Sequence, residues 1–257
     1  MSVAQPLAGK VGLVVGVANK HSIATGCARA FRAAGAELAL TYLNDRALPF
    51  VEPVAREVEA AVLAPLDVER DGQLEAVMDR ISAAWGRLDF LLHAIAFCPS
   101  EDLHGRVVDC SRAGFGRAID ISVHSLIRMT RLAEPLMRGG GSILTVSYYG
   151  AEKVVEHYNI MGPVKAALEA TVRSLAAELG PKGIRVNALS PGPIATRAAS
   201  GLDRFEDLLV TARARAPERR IVTIEEVGAV AALLAGDAAR GVTGNVTFID
   251  GGLNVVA

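Results

Sequence analysis

Short apolar runs alternate with stretches of helical periodicity along nearly the whole chain. Val11–Val17 (VGLVVGV) is apolar on both faces, the pattern of a central parallel strand. A helix is expected over Ser22–Ala34, closed at Gly35, then a strand over Glu37–Tyr42 and a helix over Val51–Ala60. The alternation continues with a strand at Ala61–Val68, a helix at Leu74–Trp85 and a fourth strand at Leu88–Phe97. Ser111–Met137 runs from polar to helical and closes on Gly139, Gly140 and Gly141. A fifth strand (Ser142–Ser147) precedes the longest helix, Tyr158–Leu179, which Gly180-Pro181 terminates. A strand at Ile184–Ser190, a helix at Glu225–Ala235 and a strand at Val246–Asp250 complete the series. This order predicts an α/β fold: a doubly wound parallel sheet of about seven strands, helices on both faces. No linker or repeat interrupts it, so residues 1–257 read as one domain.

Composition narrows the function classes. A length of 257 residues suits one large α/β unit. The 27 basic side chains nearly balance 28 acidic ones, which argues against nucleic acid as the main partner. No run of eighteen apolar residues predicts a membrane span, and no secretory signal opens the chain. Cys27, Cys98 and Cys110 are too scattered for a disulfide scaffold, and no metal-ligand spacing occurs. A reducing cytoplasm is the expected compartment.

Ligands of such sheets bind beyond the carboxyl ends of the strands, where strand order reverses. Gly16 opens a small-residue turn after the first strand, and Ala18 leaves room for phosphate at the backbone. Ser22 fits a helix N-cap, with free amides there for a pyrophosphate, and Gly26 is suited to close helix–strand packing. A tight turn without ligand is the competing reading. Asp67, after the third strand, fits either an adenine contact or a helix cap.

Tyr158 and Lys165 lie nearly two helical turns apart, on one face and about 10 Å apart along the axis. A lysine there can bind ribose hydroxyls and lower the tyrosine pKa while the phenol meets a carbonyl. An ordinary amphipathic surface explains the pair equally. Tyr148 adds a phenol at the end of strand five, with Tyr149 directed to the opposite face. His93 ends a buried strand and reads as structural.

The turn GVANKHSIATG, the strand end HAIAFCP, the run SYYGAE…YNIMGPVK and SPGPIAT, taken together, resemble one family. It is that of the NADH-dependent enoyl-acyl-carrier-protein reductases, a divergent branch of the short-chain dehydrogenase/reductases. The resemblance runs from about Leu7 to Val255. It implies a Rossmann-like fold and, by analogy with relatives, a homotetramer. Ordinary short-chain dehydrogenases carry Tyr-x3-Lys with an upstream serine; here Met161 and Tyr148 stand in those places. The resemblance gives Tyr158 the thioester carbonyl, Lys165 the nicotinamide ribose and Tyr148 the role of second active-site tyrosine. It assigns cofactor contacts to Gly16, Ala18, Ser22, Ile23, Asp67, Val68, Ile95, Lys165 and the stretch Ile194, Ala195, Thr196, Arg197 and Ala198. Cys98, Tyr148, Tyr158 and Phe205 are expected at the substrate. Leu43 stands where a glutamine often meets the adenosine ribose, and only Arg46 is near to grip a 2′-phosphate, so NADH is favoured over NADPH.

The implied reaction reduces the trans-2 double bond of an enoyl thioester carried by acyl carrier protein or CoA. The segment 195–220 is expected to cover the substrate, with Leu202, Phe205, Leu208 and Leu209 walling an acyl chain or packing in the core. Its six arginines against four acids leave an acidic carrier protein as a docking partner, beside the plainer reading of a solvated helix. Cys98 is either a reactive thiol or a small buried apolar residue. Two other functions compete: a related reductase acting on a ketone or enoyl-CoA, and a non-catalytic dinucleotide-binding regulator.

Overall fold

The computed structural model describes residues 5–196 and 204–256. Seven strands form one sheet: β1 (Val11–Val15), β2 (Glu37–Tyr42), β3 (Val62–Pro65), β4 (Phe90–His93), β5 (Gly141–Val146), β6 (Ile184–Pro191) and β7 (Val246–Ile249). All neighbours are parallel, in the order β3-β2-β1-β4-β5-β6-β7. The order reverses between β1 and β4, which defines the crevice where such sheets hold ligands.

Strand alternation sorts the core into two layers. Leu13, Leu91, Ile143 and Val186 face one side, with α3 (Gln73–Trp85), α6 (Ser125–Ala133) and α7 (Met161–Leu179) packed over them. Val14, Leu40, Phe90, Leu92 and Leu144 face the other, under α1 (Ile23–Ala33), α2 (Leu48–Glu57) and α9 (Ile224–Ala235). The remaining helices are α4 (Ser100–Leu103), α5 (Arg112–Ile119), α8 (Phe205–Arg215) and α10 (Leu253–Val256). Among the described residues no helix is long and apolar enough to cross a membrane.

Several boundaries differ from the sequence pattern for physical reasons. α2 starts three residues early because Pro49 fits a first helical turn. The Ser111–Met137 stretch is broken by a wide turn at Asp120–His124 between α5 and α6. Such π-type bulges often mark functional sites. Ser122 in this bulge accepts from the Phe97 amide (3.0 Å) and bonds the Phe97 carbonyl (3.2 Å), fixing the chain beyond β4. Gly26 packs α1 against α9, rather than against a strand. A Cβ at Gly26 would lie 2.1 Å from the Ile224 carbonyl oxygen, and one at Gly228 would lie 2.3 Å from that of Gly26.

Candidate active site

The switch point is built from the ends of β1 and β4. Gly16 has φ +103°, and a Cβ there would sit 2.1 Å from the Ala94 carbonyl oxygen, so only glycine fits. Ser22 takes the backbone geometry of an N-cap for α1, but its side chain does not cap the helix. Its hydroxyl instead donates to the Asn19 carbonyl (2.9 Å) and pairs with Thr25 Oγ1 (2.9 Å). Thr25 bonds the same Asn19 carbonyl at 2.7 Å. These bonds stiffen the turn through Ala18 from below and leave the first amides of α1, at Ile23 and Ala24, to face an anion.

The tyrosines form a cluster at the same sheet edge. β5 ends at Val146, so Tyr148 and Tyr149 lie beyond the strand and its alternation no longer separates them. Tyr149 accordingly packs against Tyr148 with ring centroids 4.6 Å apart, rather than facing away. Tyr158 meets Tyr148 from the other side at 4.8 Å, edge-on. Tyr158 is not on the long helix, as its seven-residue spacing from Lys165 had suggested. Left-handed backbone at His157 (φ +61°) and Asn159 (φ +43°) keeps it in a turn, and α7 begins at Met161. Asn159 anchors that turn by donating to the Leu103 carbonyl of α4 (2.7 Å). Gly150 makes room for the ring, since a Cβ there would lie 2.6 Å from Tyr158 Cδ1.

Both phenols are buried, and burial pushes their pKa values up, with the Glu169 charge adding to the effect at Tyr158. Lys165 is not among the groups shifting Tyr158, contrary to the expectation that it would lower that pKa. Tyr158 is therefore a protonated hydrogen-bond donor at neutral pH. The Tyr148 hydroxyl is buried, and the neighbouring Tyr149 phenol also raises its pKa.

Lys165 lies 5% exposed on α7. Its ammonium donates to the Val146 carbonyl at 2.7 Å, the one hydrogen bond it makes among the described residues. Its two further N–H groups are left to donate to a ligand. Burial lowers its pKa to about 8, and the Glu169 charge opposes that shift. One turn along α7, Glu169 accepts from Ser147 Oγ at 2.5 Å. Nothing in its sequence position set this glutamate apart from a surface helix residue; only its 4% exposure reveals it. On β4, His93 bonds Thr145 Oγ1 (2.9 Å) and Ser125 Oγ (2.8 Å) through its two ring nitrogens. Burial, with the Lys165 charge adding, lowers its pKa to about 3, so it is a neutral structural link.

The other expected contacts spread along the strand ends. Asp67 does not cap α3, whose N-cap is Gly72. It accepts from the Glu69 amide at 3.0 Å in an Asx turn, with Arg70 3.5 Å away. Val68 is buried, and its carbonyl accepts from Arg128 (2.8 Å). Ile95 and Cys98 are half-buried against the core layer that contains the phenols. Burial raises the Cys98 thiol to about 11, which makes it a poor nucleophile rather than a reactive thiol. Leu43 is 56% exposed, and Ile194 packs on the α1 side. Ala195 and Thr196 end the described stretch; Arg197, Ala198 and Leu202 lie outside the described residues.

In α8, Phe205, Leu208 and Leu209 are half-buried, and Leu208 packs on the layer holding the phenols. Ala212 and Ala216 join that layer. Several arginines expected to face a partner are engaged internally: Arg204 with Asp207, Arg215 with the Val256 carbonyl, Arg219 with the Ala214 carbonyl, and Arg220 with Glu218 and Glu226. Arg213 is exposed with no partner among the described residues. No cluster of three metal-ligating side chains occurs among the described residues.

The site thus combines a rigid glycine turn at a helix N-terminus, a lysine with spare donors and a protonated phenol beside a second one. This donor set fits a dinucleotide with a carbonyl-bearing substrate next to it. Residues 16–254 match the family model for "Enoyl-(Acyl carrier protein) reductase". The chain is 49% identical over 248 residues to enoyl-[acyl-carrier-protein] reductase [NADH] 1 of Rhizobium meliloti (strain 1021), covering 96% of this chain and 91% of that one. Its fold superposes on the crystal structure of the Anaplasma phagocytophilum enoyl-(acyl-carrier-protein) reductase in complex with NAD. That match has a TM-score of 0.95 at 44% identity and covers 100% of this chain and 98% of that one. The Bacillus cereus enoyl-acyl carrier protein reductase, solved with NADP+ and an indole naphthyridinone, matches with a TM-score of 0.96 at 44% identity, covering 98% and 99%. The extent of these matches, together with the phenol and lysine arrangement, establishes that this chain belongs to the enoyl-(acyl carrier protein) reductase family.

Proposed function

We propose that the protein catalyses NADH-dependent reduction of the trans-2 double bond of enoyl-acyl-carrier-protein thioesters in fatty-acid elongation. The observation that carries this reading is the buried, protonated Tyr158 phenol packed edge-on against Tyr148 at the sheet edge that holds the Gly16 turn. An ordinary carbonyl reductase is disfavoured by two side chains. Met161, at the Tyr-x3-Lys position, is a buried core residue, and the place of the upstream serine is taken by the buried Tyr148.

A bound dihydronicotinamide would supply the hydride for the β-carbon of the enoyl thioester, and a proton from solvent at the α-carbon would complete saturation. Tyr158 donates its phenolic proton in a hydrogen bond to the thioester oxygen, where the enolate charge develops. One such donor contributes about 3–4 kcal/mol to the transition state. Its raised pKa keeps the phenol protonated at neutral pH. Lys165 holds the ribose with its spare N–H groups and brings a positive charge toward the developing anion. The amides after Gly16 would hold the pyrophosphate, and Asp67, Val68 and Ile95 would contribute further cofactor contacts. Ile194–Thr196 flank the nicotinamide side.

The acyl chain lies between Cys98 and the half-buried apolar face of α8 that carries Phe205. Arg213 gives an acidic carrier protein a free cation to meet. Following the family resemblance, the working assembly is a cytoplasmic homotetramer, which sedimentation of the purified protein tests. NADH oxidation with a trans-2-enoyl thioester tests the activity itself.

A further inference from the structure

Lys165, Glu169 and Asp250 are the buried charged side chains among the described residues, apart from neutral His93. Asp250 is accounted for, because its carboxylate caps the amides of Gly252 (2.9 Å) and Asn254 (2.8 Å). Glu169 has no such backbone role, and a buried carboxylate is expensive unless it is paired. It sits four residues after Lys165, on the same face of α7. The two side chains grip consecutive residues at the exit of β5. Lys165 reaches the Val146 carbonyl (2.7 Å), and Glu169 takes the Ser147 hydroxyl (2.5 Å). The next residue is Tyr148.

We propose that Glu169 is a positioning residue for the reaction: a buried countercharge that keeps Lys165 an ammonium ion and, through Ser147, fixes the strand exit that carries Tyr148. This inference rests on the enoyl reductase reading above.

The surrounding charges leave that role to Glu169. Burial alone drives Lys165 toward the neutral amine, and Glu169 opposes it. Burial raises the Glu169 carboxyl above its ordinary range and the Glu152 charge adds to that, while Ser147, Arg173 and Lys165 favour the ionised form. Arg173 and Glu152 are both exposed and screened by water. His93, from β4, is neutral above about pH 3, and Tyr158 stays protonated, so neither supplies a competing charge near pH 8.

The test is fluorescence-detected NADH binding between pH 6 and 10 on the full chain, for wild type, Glu169→Gln and Ser147→Ala. Glutamine still accepts from Ser147 but carries no charge. Binding should weaken as the pH rises and Lys165 deprotonates. In Glu169→Gln the midpoint of that loss should fall by about one pH unit, with the melting temperature close to wild type. Ser147→Ala keeps the carboxyl group in place, so its midpoint should fall less than that of Glu169→Gln. Its kcat on enoyl thioester should drop severalfold at unchanged KM for NADH.

An unmoved midpoint in Glu169→Gln overturns the countercharge role, and an unchanged kcat in Ser147→Ala overturns the strand-exit role. If Glu169→Gln does not fold, Glu169→Asp decides: it keeps the charge, so a wild-type midpoint supports the inference and a lowered one contradicts it. Absence of enoyl reduction by the wild type would instead remove the functional reading on which this inference rests.

Discussion

The Tyr148 and Tyr158 rings meet edge-on with centroids 4.8 Å apart, so the stretch leaving β5 and the turn before α7 present their phenols at one place. The hydroxyls have different circumstances, and their removal should have different consequences.

Tyr158→Phe should lower kcat at least about tenfold while the dissociation constant for NADH stays within twofold, because only the transition-state oxygen loses a donor. Tyr148→Phe removes a buried hydroxyl whose neighbour is the Tyr149 phenol. Its melting temperature should stay close to wild type, since a phenol–phenol hydrogen bond contributes about 1 kcal/mol net against the desolvation of the buried hydroxyl. Turnover should still fall severalfold if that hydroxyl meets substrate. A Tyr158→Phe enzyme with wild-type turnover would remove this phenol from the chemistry.

The α1–α9 contact should respond sharply to one methyl group. Gly26→Ala drives a Cβ against the Ile224 carbonyl oxygen, 2.1 Å away, which is backbone and does not yield as the end of a flexible side chain would. The expected loss of stability in urea is about 3 kcal/mol or more. Gly72→Ala is the control: φ is +81° there, but no atom lies within 4 Å of the added Cβ. That change should cost only about 1 kcal/mol. Equal losses at the two sites would contradict close helix packing as the reason for Gly26.

His93 gives a pH dependence of stability with a definite sign. Its folded pKa is about 3 against an ordinary 6.5, so between those values the unfolded chain binds a proton that the native protein excludes. Stability should therefore be intact above pH 6.5 and fall as the pH drops toward 3. The loss from this group is on the order of a few kcal/mol. Urea midpoints for wild type and His93→Asn across this range provide the measurement. Parallel curves would contradict a neutral buried histidine.

The alternation of strands and helices was legible because covered parallel strands are apolar on both faces, as Val11–Val15 and Phe90–His93 are. The site was legible where a residue type is rare in context, as with Gly16 and Lys165. It was misread where local backbone departs from the regular period. Left-handed residues at 157 and 159 free Tyr158 from the helix that its spacing to Lys165 had suggested. Tyr149 turns toward Tyr148 because the strand stops at Val146, ahead of both. Glu169 was invisible because its burial depends on the tertiary packing of α7 over the sheet, which a helical pattern of polar and apolar residues does not encode.

The carrier protein and CoA should be separable at Arg213, which is exposed and unpaired among the described residues. Arg213→Glu should raise KM severalfold for an enoyl-acyl-carrier-protein substrate and leave KM for the same enoyl-CoA unchanged. A rise for both would place Arg213 at the thioester pocket rather than at a protein surface.

The central claim is that these buried phenols serve carbon–carbon double-bond reduction. It is tested most directly by following NADH oxidation at 340 nm with a trans-2-enoyl thioester and, separately, with a β-ketoacyl thioester of equal chain length. The structure predicts turnover of the enoyl thioester, abolished or cut at least about tenfold by Tyr158→Phe, and none of the ketone. Turnover of the ketone alone would contradict it.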